Sequence, residues 1–318
     1  MAERHAVWSS FFVNLEEGRL RSLWRILLQV GIMLVIVALP IVVVTETATR
    51  LFKSGRIFLP PEIFDKGMDI LAGLLLTGLV LLSLFIAARK LDHRRFAEFG
   101  FGLNAKWWMQ WFEGFFLGFF LMAIIFTIEF FAGWVKVISY FHVSVTALPV
   151  WLSFTYPFIK ALCVGVYEEA ISRGYHLTNI KEGLLGLWGF TERQAFICAI
   201  GMSSAIFALL HLKTPNASVI STVCIIANGA LLGTAFWVSG QLGIPIGFHM
   251  GWNLSQGLLF GFPVSGDLEI ANVLQIQQRG PVWLTGGNFG PEGGLLNLVV
   301  SIAGIILLLK MRRLWRPT

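Results

Sequence analysis

Two adjacent glutamates stand near the end of an apolar segment, where charged residues are uncommon. Carboxylates close to hydrocarbon are costly to keep charged unless a partner lies nearby. Arg173 follows Glu169 by four residues, so the two side chains share a helical face and can form an ion pair. Glu168 points about 100° away from Glu169 on a helix and can face a cavity. Glu168 is therefore a candidate general base acting on water, and the alternative is a helix end held at the membrane interface by a Glu–Arg pair.

Two histidines and an asparagine occupy two later apolar segments. His211 stands at the end of its segment, where a single histidine is more often an interfacial residue than a catalyst. His249 and Asn253 are four residues apart, so they lie on one face of their helix. Burying both without partners would cost several kcal/mol, so they must meet other polar groups within a helix bundle. A polar network that only holds helices together is the alternative interpretation.

The composition of the chain predicts the kind of structure that holds these polar residues in place. Hydrophobic residues make up 56% of the 318 residues and charged residues 13%, against about 25% charged residues in typical soluble domains. Apolar runs of about twenty residues have the length that crosses a bilayer as a helix. The sequence therefore predicts an all-α, polytopic membrane protein with about eight transmembrane helices, at 26–45, 68–88, 111–134, 149–171, 194–212, 217–239, 243–262 and 295–311.

The basic residues give the expected orientation of these helices. With the N-terminus in the cytoplasm, sixteen Lys and Arg residues fall in cytoplasmic segments and seven in outer loops. This distribution agrees with the enrichment of Lys and Arg in cytoplasmic loops, so we expect both termini in the cytoplasm, in a bacterial plasma membrane. The net charge of +6 comes from clusters beside apolar runs, so we expect membrane lipid and no nucleic acid as a partner.

Three spaced motifs together carry a resemblance. They are Glu-Glu-x-x-x-Arg, Phe-x-x-x-His and His-x-x-x-Asn, and they occur in this order on three separate apolar segments. The combination resembles the CPBP family (CAAX protease, bacteriocin-processing, Abi) of intramembrane proteases, which includes the type II CAAX prenyl endopeptidases and bacterial bacteriocin-immunity proteins. The resemblance covers about residues 150–260, and its motif residues are Glu168, Glu169, Arg173, Phe207, His211, His249 and Asn253.

The resemblance implies an intramembrane endopeptidase of the CAAX or a related type. Its substrate would be a peptide or a membrane-anchored protein, presented from the cytoplasmic side or from the bilayer. The resemblance implies that Glu168 activates the attacking water, that Glu169 lies beside Glu168, and that Arg173 is their charge partner. Phe207 and Tyr167 are expected to be packing residues.

The remaining motif residues are implied to act on the water and the substrate carbonyl. His211 and His249 would hold one or the other, and Asn253 would donate a hydrogen bond to the developing oxyanion. The family is often described as metalloproteases, although no HExxH motif occurs in the chain. Zinc bound by His211, His249 and Glu168 is one option; activation of water by these groups without an ion is the option we favour.

The motifs divide the chain into four expected parts. These are an N-terminal cytoplasmic or interfacial segment, three N-terminal helices with their loops, a catalytic core of four helices, and an outer loop followed by the last helix and a basic cytoplasmic tail. Their expected boundaries are 1–24, 25–148, 149–262 and 263–318.

Two other functional classes stay open at this point. A proton-coupled transporter would also place Glu and His within the membrane, but the chain shows no internal repeat, which disfavours many transporter architectures. A non-catalytic membrane immunity or scaffold protein would keep the fold without the reaction.

The predicted boundaries also create a geometric conflict. With alternating helices, Glu168 lies near the cytoplasmic end of the fourth helix, whereas His211 lies near the far end of the fifth. The two can meet only if the fifth helix is tilted, short or partly re-entrant, or if the boundaries differ by several residues.

Overall fold

The computed structural model describes residues 11–315, except for the side chains of 186–188 and 313–315. Predictions for residues 1–10 and 316–318, which include the start of the N-terminal segment and the end of the basic tail, lie outside the described residues. Within residues 11–21, a two-residue ladder forms between strands β1 (Val13–Asn14) and β2 (Arg19–Leu20).

Seven helical spans within the described residues are long and apolar enough to cross a bilayer. The chain is therefore an all-α integral membrane protein, as predicted. Six spans contain one α-helix each, and the fourth contains α4, a π-helical segment and most of α5. The helices are α1 (Ser22–Lys53), α2 (Pro61–Lys90), α3 (Ala105–Phe131), α4 (Val150–Glu169), α5 (Thr178–Trp188), α6 (Glu192–Leu210), α7 (Val219–Ser239), α8 (Gly243–Asn253), α9 (Val282–Thr285) and α10 (Leu295–Trp315).

The eighth predicted segment, 243–262, is helical but shorter than a span. Helix α8 has 11 residues, and a π-helical segment of 6 residues, Leu254–Leu259, continues it. Its α-helical part is almost entirely buried and packs along α3. Because protein rather than lipid surrounds α8, its length need not match the thickness of the bilayer.

The close approach of α8 to α3 depends on glycines. A Cβ atom at Gly251 would overlap the backbone carbonyl oxygen of Phe115, and one at Gly247 would overlap that of Trp111. Small residues at such positions let two helix backbones come together. They hold α8, and with it His249 and Asn253, in the interior of the bundle.

We expect Gly251→Ala to lower the thermal unfolding temperature in detergent, because the added methyl group must push two backbones apart. Overpacking of this kind typically costs about 1–3 kcal/mol. Gly78→Ala on α2 is the matched control, since a Cβ there meets nothing within 4 Å. Equal unfolding temperatures for the two variants would contradict this account.

The fourth helix is longer than predicted, which resolves the geometric conflict. The predicted end at 171 is wrong, because α4 continues through the π-helical segment Ala170–Leu177 into α5, which ends at Trp188. Glu168 thus lies within a long helix, about 30 Å from its end at 1.5 Å per residue. Helix α6 has 19 residues and returns about the same distance. His211 therefore comes back to the depth of Glu168.

Buried ion pairs hold the far end of this long helix. Arg25, which is 1% exposed, lies 2.5 Å from Asp92 and 3.0 Å from Glu182, and Arg94 also pairs with Glu182. These pairs join the start of α1, the end of α2 and α5 at one side of the molecule. We call this side the termini face; it comprises residues 11–21, the connections 91–104, 189–191 and 240–242, and the end of α10.

The opposite side, the loop face, carries more regular structure than expected. The segment 263–294, expected to be an outer loop, contains strand β4 (Ala271–Gln278), which pairs antiparallel with β3 (Val135–Val143). Glu129 at the end of α3 accepts a hydrogen bond of 2.8 Å from the Gln278 side chain and so ties β4 to the bundle. The loop face comprises the connections 54–60, 132–149, 211–218 and 260–294.

Candidate active site

A buried carboxylate lies at the centre of the polar cluster. Glu169 is 0% exposed, and its Oε1 atom lies 2.9 Å from Arg173 Nη1 and 2.9 Å from His249 Nδ1. The predicted Glu169–Arg173 pair is therefore present, and the same carboxylate also reaches α8. Because a charged carboxylate only accepts hydrogen bonds, His249 donates through Nδ1. Its Nε2 atom is then turned toward the other side of the ring.

Glu168 lies on that other side. Its side chain is 19% exposed, and its Oε2 atom is 3.8 Å from His249 Nε2. The Tyr167 hydroxyl donates a 3.5 Å hydrogen bond to Oε1. The two adjacent glutamates thus occupy different environments: Glu169 is enclosed and paired, and Glu168 faces open space beside an imidazole.

His211 follows the last residue of α6, and its orientation is set locally. Its Nδ1 atom lies 2.9 Å from the carbonyl oxygen of Phe207, one turn earlier. A carbonyl oxygen can only accept, so Nδ1 carries a hydrogen and Nε2 is available to other groups. Phe207, predicted as packing, has its ring 4.6 Å from the His211 ring and 4.4 Å from the Arg173 guanidinium. It therefore contacts both the histidine and the buried ion pair.

The structure brings four predicted residues to one cavity. A cavity of about 290 Å³ is lined by Glu168, His211, His249 and Asn253. Glu169 and Arg173 lie behind its wall, where Glu169 contacts His249. Side chains from α4, α6 and α8 thus meet, which their positions in the sequence alone do not guarantee.

Three polar groups of this cavity lie outside the set of predicted site residues. Lys160 forms a 3.0 Å ion pair with Glu269, and Asn228 accepts a 2.7 Å hydrogen bond from Ser301. Asn228 could have been noticed, because an asparagine in the middle of an apolar span is itself a signal. Glu269 gave no such signal, since it lies in a loop without periodicity.

Glu292 is a further unanticipated carboxyl group in the cavity wall. Its Oε1 atom accepts a 2.5 Å hydrogen bond from the Ser265 amide, and the Gln256 side chain donates to Oε2. Burial raises the pKa of Glu292 to about 7, although these hydrogen bonds oppose the shift. The residue holds the loop around Ser265 against the end of the α8 π-helical segment.

The side chains do not form a metal-ligand set. Within residues 11–315, no group of three or more His, Cys, Asp or Glu side chains is arranged to hold a metal ion. The three donors considered for zinc, His211, His249 and Glu168, share a cavity without converging on one point. The arrangement therefore gives no support to the metalloprotease interpretation.

The fold and the cavity together define an integral membrane protein with a polar cavity among its helices. Residues 149–255 match the family model described as Type II CAAX prenyl endopeptidase Rce1-like. The matched segment contains all of the motif residues, and the match confirms the resemblance based on them. At the level of this family, the Rce1-like domain indicates a CAAX-type intramembrane protease. Comparison with curated proteins and with solved structures gives no match.

Proposed function

We propose that this protein is an intramembrane endopeptidase in which Glu168 activates water to hydrolyse a peptide bond of a CAAX-type or related membrane-presented substrate. The observation that carries the proposal is the 3.8 Å approach of Glu168 Oε2 to His249 Nε2 at the wall of the cavity. That separation is too long for a direct hydrogen bond. One water molecule placed beside the two atoms can contact both.

The buried pair behind His249 supports the role of Glu168 as base. Glu169 accepts the hydrogen of His249 Nδ1, so the imidazole presents Nε2 to the water while Arg173 balances the Glu169 charge. Glu168 takes one proton from the water, and the resulting hydroxide forms a bond to the carbonyl carbon of the substrate. The carbonyl oxygen then carries the negative charge.

The cavity also holds groups suited to that charge and to the leaving amine. The Asn253 amide can donate to the oxyanion, and His211 can do so through Nε2 when that atom is protonated. When the carbon–nitrogen bond breaks, Glu168 returns its proton to the departing nitrogen. The products are a new carboxyl terminus and a new amino terminus, and no other reactant is consumed.

A second, smaller cavity supports a membrane-presented substrate. It has a volume of about 100 Å³ and lies between α2 and α4; Gly73, Leu76 and Cys163 line its apolar part, and Asp69 and Tyr156 line its polar part. It shares Lys160, Val164 and Tyr167 with the catalytic cavity. An apolar part of the substrate could lie there while its peptide bond reaches Glu168.

The proposal is tested by comparing membrane proteins from cells that contain the wild-type chain with those from cells that contain Glu168→Ala. We expect new protein termini in the wild-type membranes that are missing with the variant, at equal amounts of the inserted protein. Identical termini in both would contradict the proposal. If Glu168→Ala also restored a cellular phenotype, a non-catalytic scaffold or immunity role would be indicated instead.

We expect chelators to leave cleavage by the purified protein unchanged, because Glu168 and His249 polarise the water without a Lewis acid. The measurement is the cleavage rate before and after treatment with a strong zinc chelator, together with metal analysis of the same sample. Loss of activity that added zinc restores would overturn the metal-independent mechanism, although not the assignment as a peptidase.

A further inference from the structure

The loops that line the catalytic cavity all lie on one side of the molecule. Besides its helical residues, the cavity is lined by Thr214 and Pro215 of the connection 211–218 and by Asp267 and Glu292 of the connection 260–294. Pro215 and Asp267 are exposed. All of these belong to the loop face, so the cavity opens there.

The helical residues of the cavity agree with this direction. Lys160, whose ion pair with Glu269 lies at the loop face, precedes Glu168 by eight residues, or about 12 Å along the helix. On the C-terminal side of Glu168, the same helix continues for about 30 Å to Trp188. Glu168 is therefore nearer the loop face than the termini face.

A buried apolar cluster closes the other side. It packs α5, α6, α7 and α8 together between the polar cluster and the termini face. Its buried members are Trp107, Leu177, Ile180, Leu184, Ala195, Ala199, Ile200, Phe236, Leu242 and Ile246. Water and polypeptide entering from the termini face would have to cross this packed layer.

The basic residues indicate which face is cytoplasmic. Among residues 11–312, twelve Lys and Arg residues lie on or beside the termini face and seven lie on or beside the loop face. The connection between α1 and α2, with its flanking turns, supplies four of the seven. Two of these are paired with carboxylates: Arg50 lies 3.7 Å from Glu46, and Lys66 lies 2.7 Å from Asp69. The bias therefore places the termini face in the cytoplasm.

We propose that the catalytic cavity opens on the extracytoplasmic side of the membrane, and that the substrate is a polypeptide segment exposed on that side. This inference rests on the proposed peptidase function and narrows its substrate class. A prenylated protein that stays in the cytoplasm cannot reach Glu168 in this orientation. This orientation is an alternative to the expectation that the peptide is presented from the cytoplasmic side or from the bilayer.

The orientation is tested with single added cysteines and a membrane-impermeant thiol reagent. Asp267→Cys places a thiol at the cavity mouth, and Ala97→Cys places one at an exposed position of the termini face. The wild-type chain, whose Cys163, Cys198 and Cys224 lie within helices, gives the background. We expect right-side-out vesicles to label Asp267→Cys and inverted vesicles to label Ala97→Cys. The reverse pattern would overturn the inference.

The same labelled variants test whether the substrate enters through the mouth of the cavity. Attachment of a bulky reagent to Asp267→Cys in right-side-out vesicles is expected to reduce cleavage at least tenfold, and labelling of Ala97→Cys in inverted vesicles is expected to leave it unchanged. Full activity of labelled Asp267→Cys would contradict access through this mouth.

The positions of the cleaved bonds separate the inference from the function on which it rests. Bonds cut by the wild-type chain and spared by Glu168→Ala are expected to map to extracytoplasmic segments of membrane or secreted proteins. Cleavage that depends on Glu168 but maps to cytoplasmic segments would contradict the proposed orientation, whereas the proposed peptidase function would stand. No cleavage that depends on Glu168 would sink the peptidase itself, whatever the orientation shown by the thiols.

Discussion

Replacing Glu168 with glutamine is expected to lower the rate of peptide-bond cleavage about 10²–10⁴-fold, the usual contribution of a general base. Glutamine keeps the size of the side chain and can still accept the hydrogen bond from Tyr167, but it cannot take a proton from water. The measurement is the cleavage rate of the purified variant in lipid bilayers, with a membrane-protein fragment identified in wild-type cells as substrate.

A matched control separates chemistry from damage to the fold. Glu62→Gln makes the same change at an exposed glutamate in the first turn of α2, and its cleavage rate should equal that of the wild type. Both variants should unfold at the wild-type temperature. If Glu168→Gln cleaved at the full rate, another group would have to be the base.

Replacing Arg173 with methionine is expected to destabilise the protein by about 3–5 kcal/mol, the usual cost of removing one partner of a buried ion pair. The Arg173 side chain is 1% exposed and that of Glu169 is 0% exposed. Without Arg173, the Glu169 carboxylate would be left in the interior with His249 alone, and the contact of the guanidinium with Phe207 would be lost. Unfolding by heat or by denaturant in detergent measures the effect.

The double variant Glu169→Gln/Arg173→Met distinguishes charge from packing. It removes both charges, so it should recover much of the stability lost in Arg173→Met, because no uncompensated carboxylate is then buried. A double variant as unstable as the single one would show that the packing of Arg173 matters more than its charge.

Local signals in the chain were sufficient for the motif residues. The pairing of Glu169 with Arg173 follows from a separation of four residues on one helix, and the seven spanning helices were predicted from apolar runs long enough to cross a bilayer. Spacing also placed His249 and Asn253 on one helix face. These predictions succeeded because each depends on residues close together in the chain.

The end of the fourth helix was misjudged for a physical reason. Hydropathy falls after Ile171 because Arg173, Lys181 and Glu182 follow, and polar residues usually mark the end of a span. The helix nevertheless continues, since these groups find partners from distant segments: Glu182 pairs with Arg25, and Arg173 lies against Phe207. Such partners cannot be read from a local window.

The amino-acid sequence thus established that the protein lies in a membrane and is helical, and it predicted which side chains react, because composition and spacing act locally. The depth of Glu168 relative to His211, the cavity that they share and the face on which it opens depended on long-range packing. The extended fourth helix and the glycine contact of α8 with α3 set these distances. Carboxyl groups such as Glu292 joined the cavity only because a loop folds back over the helix ends.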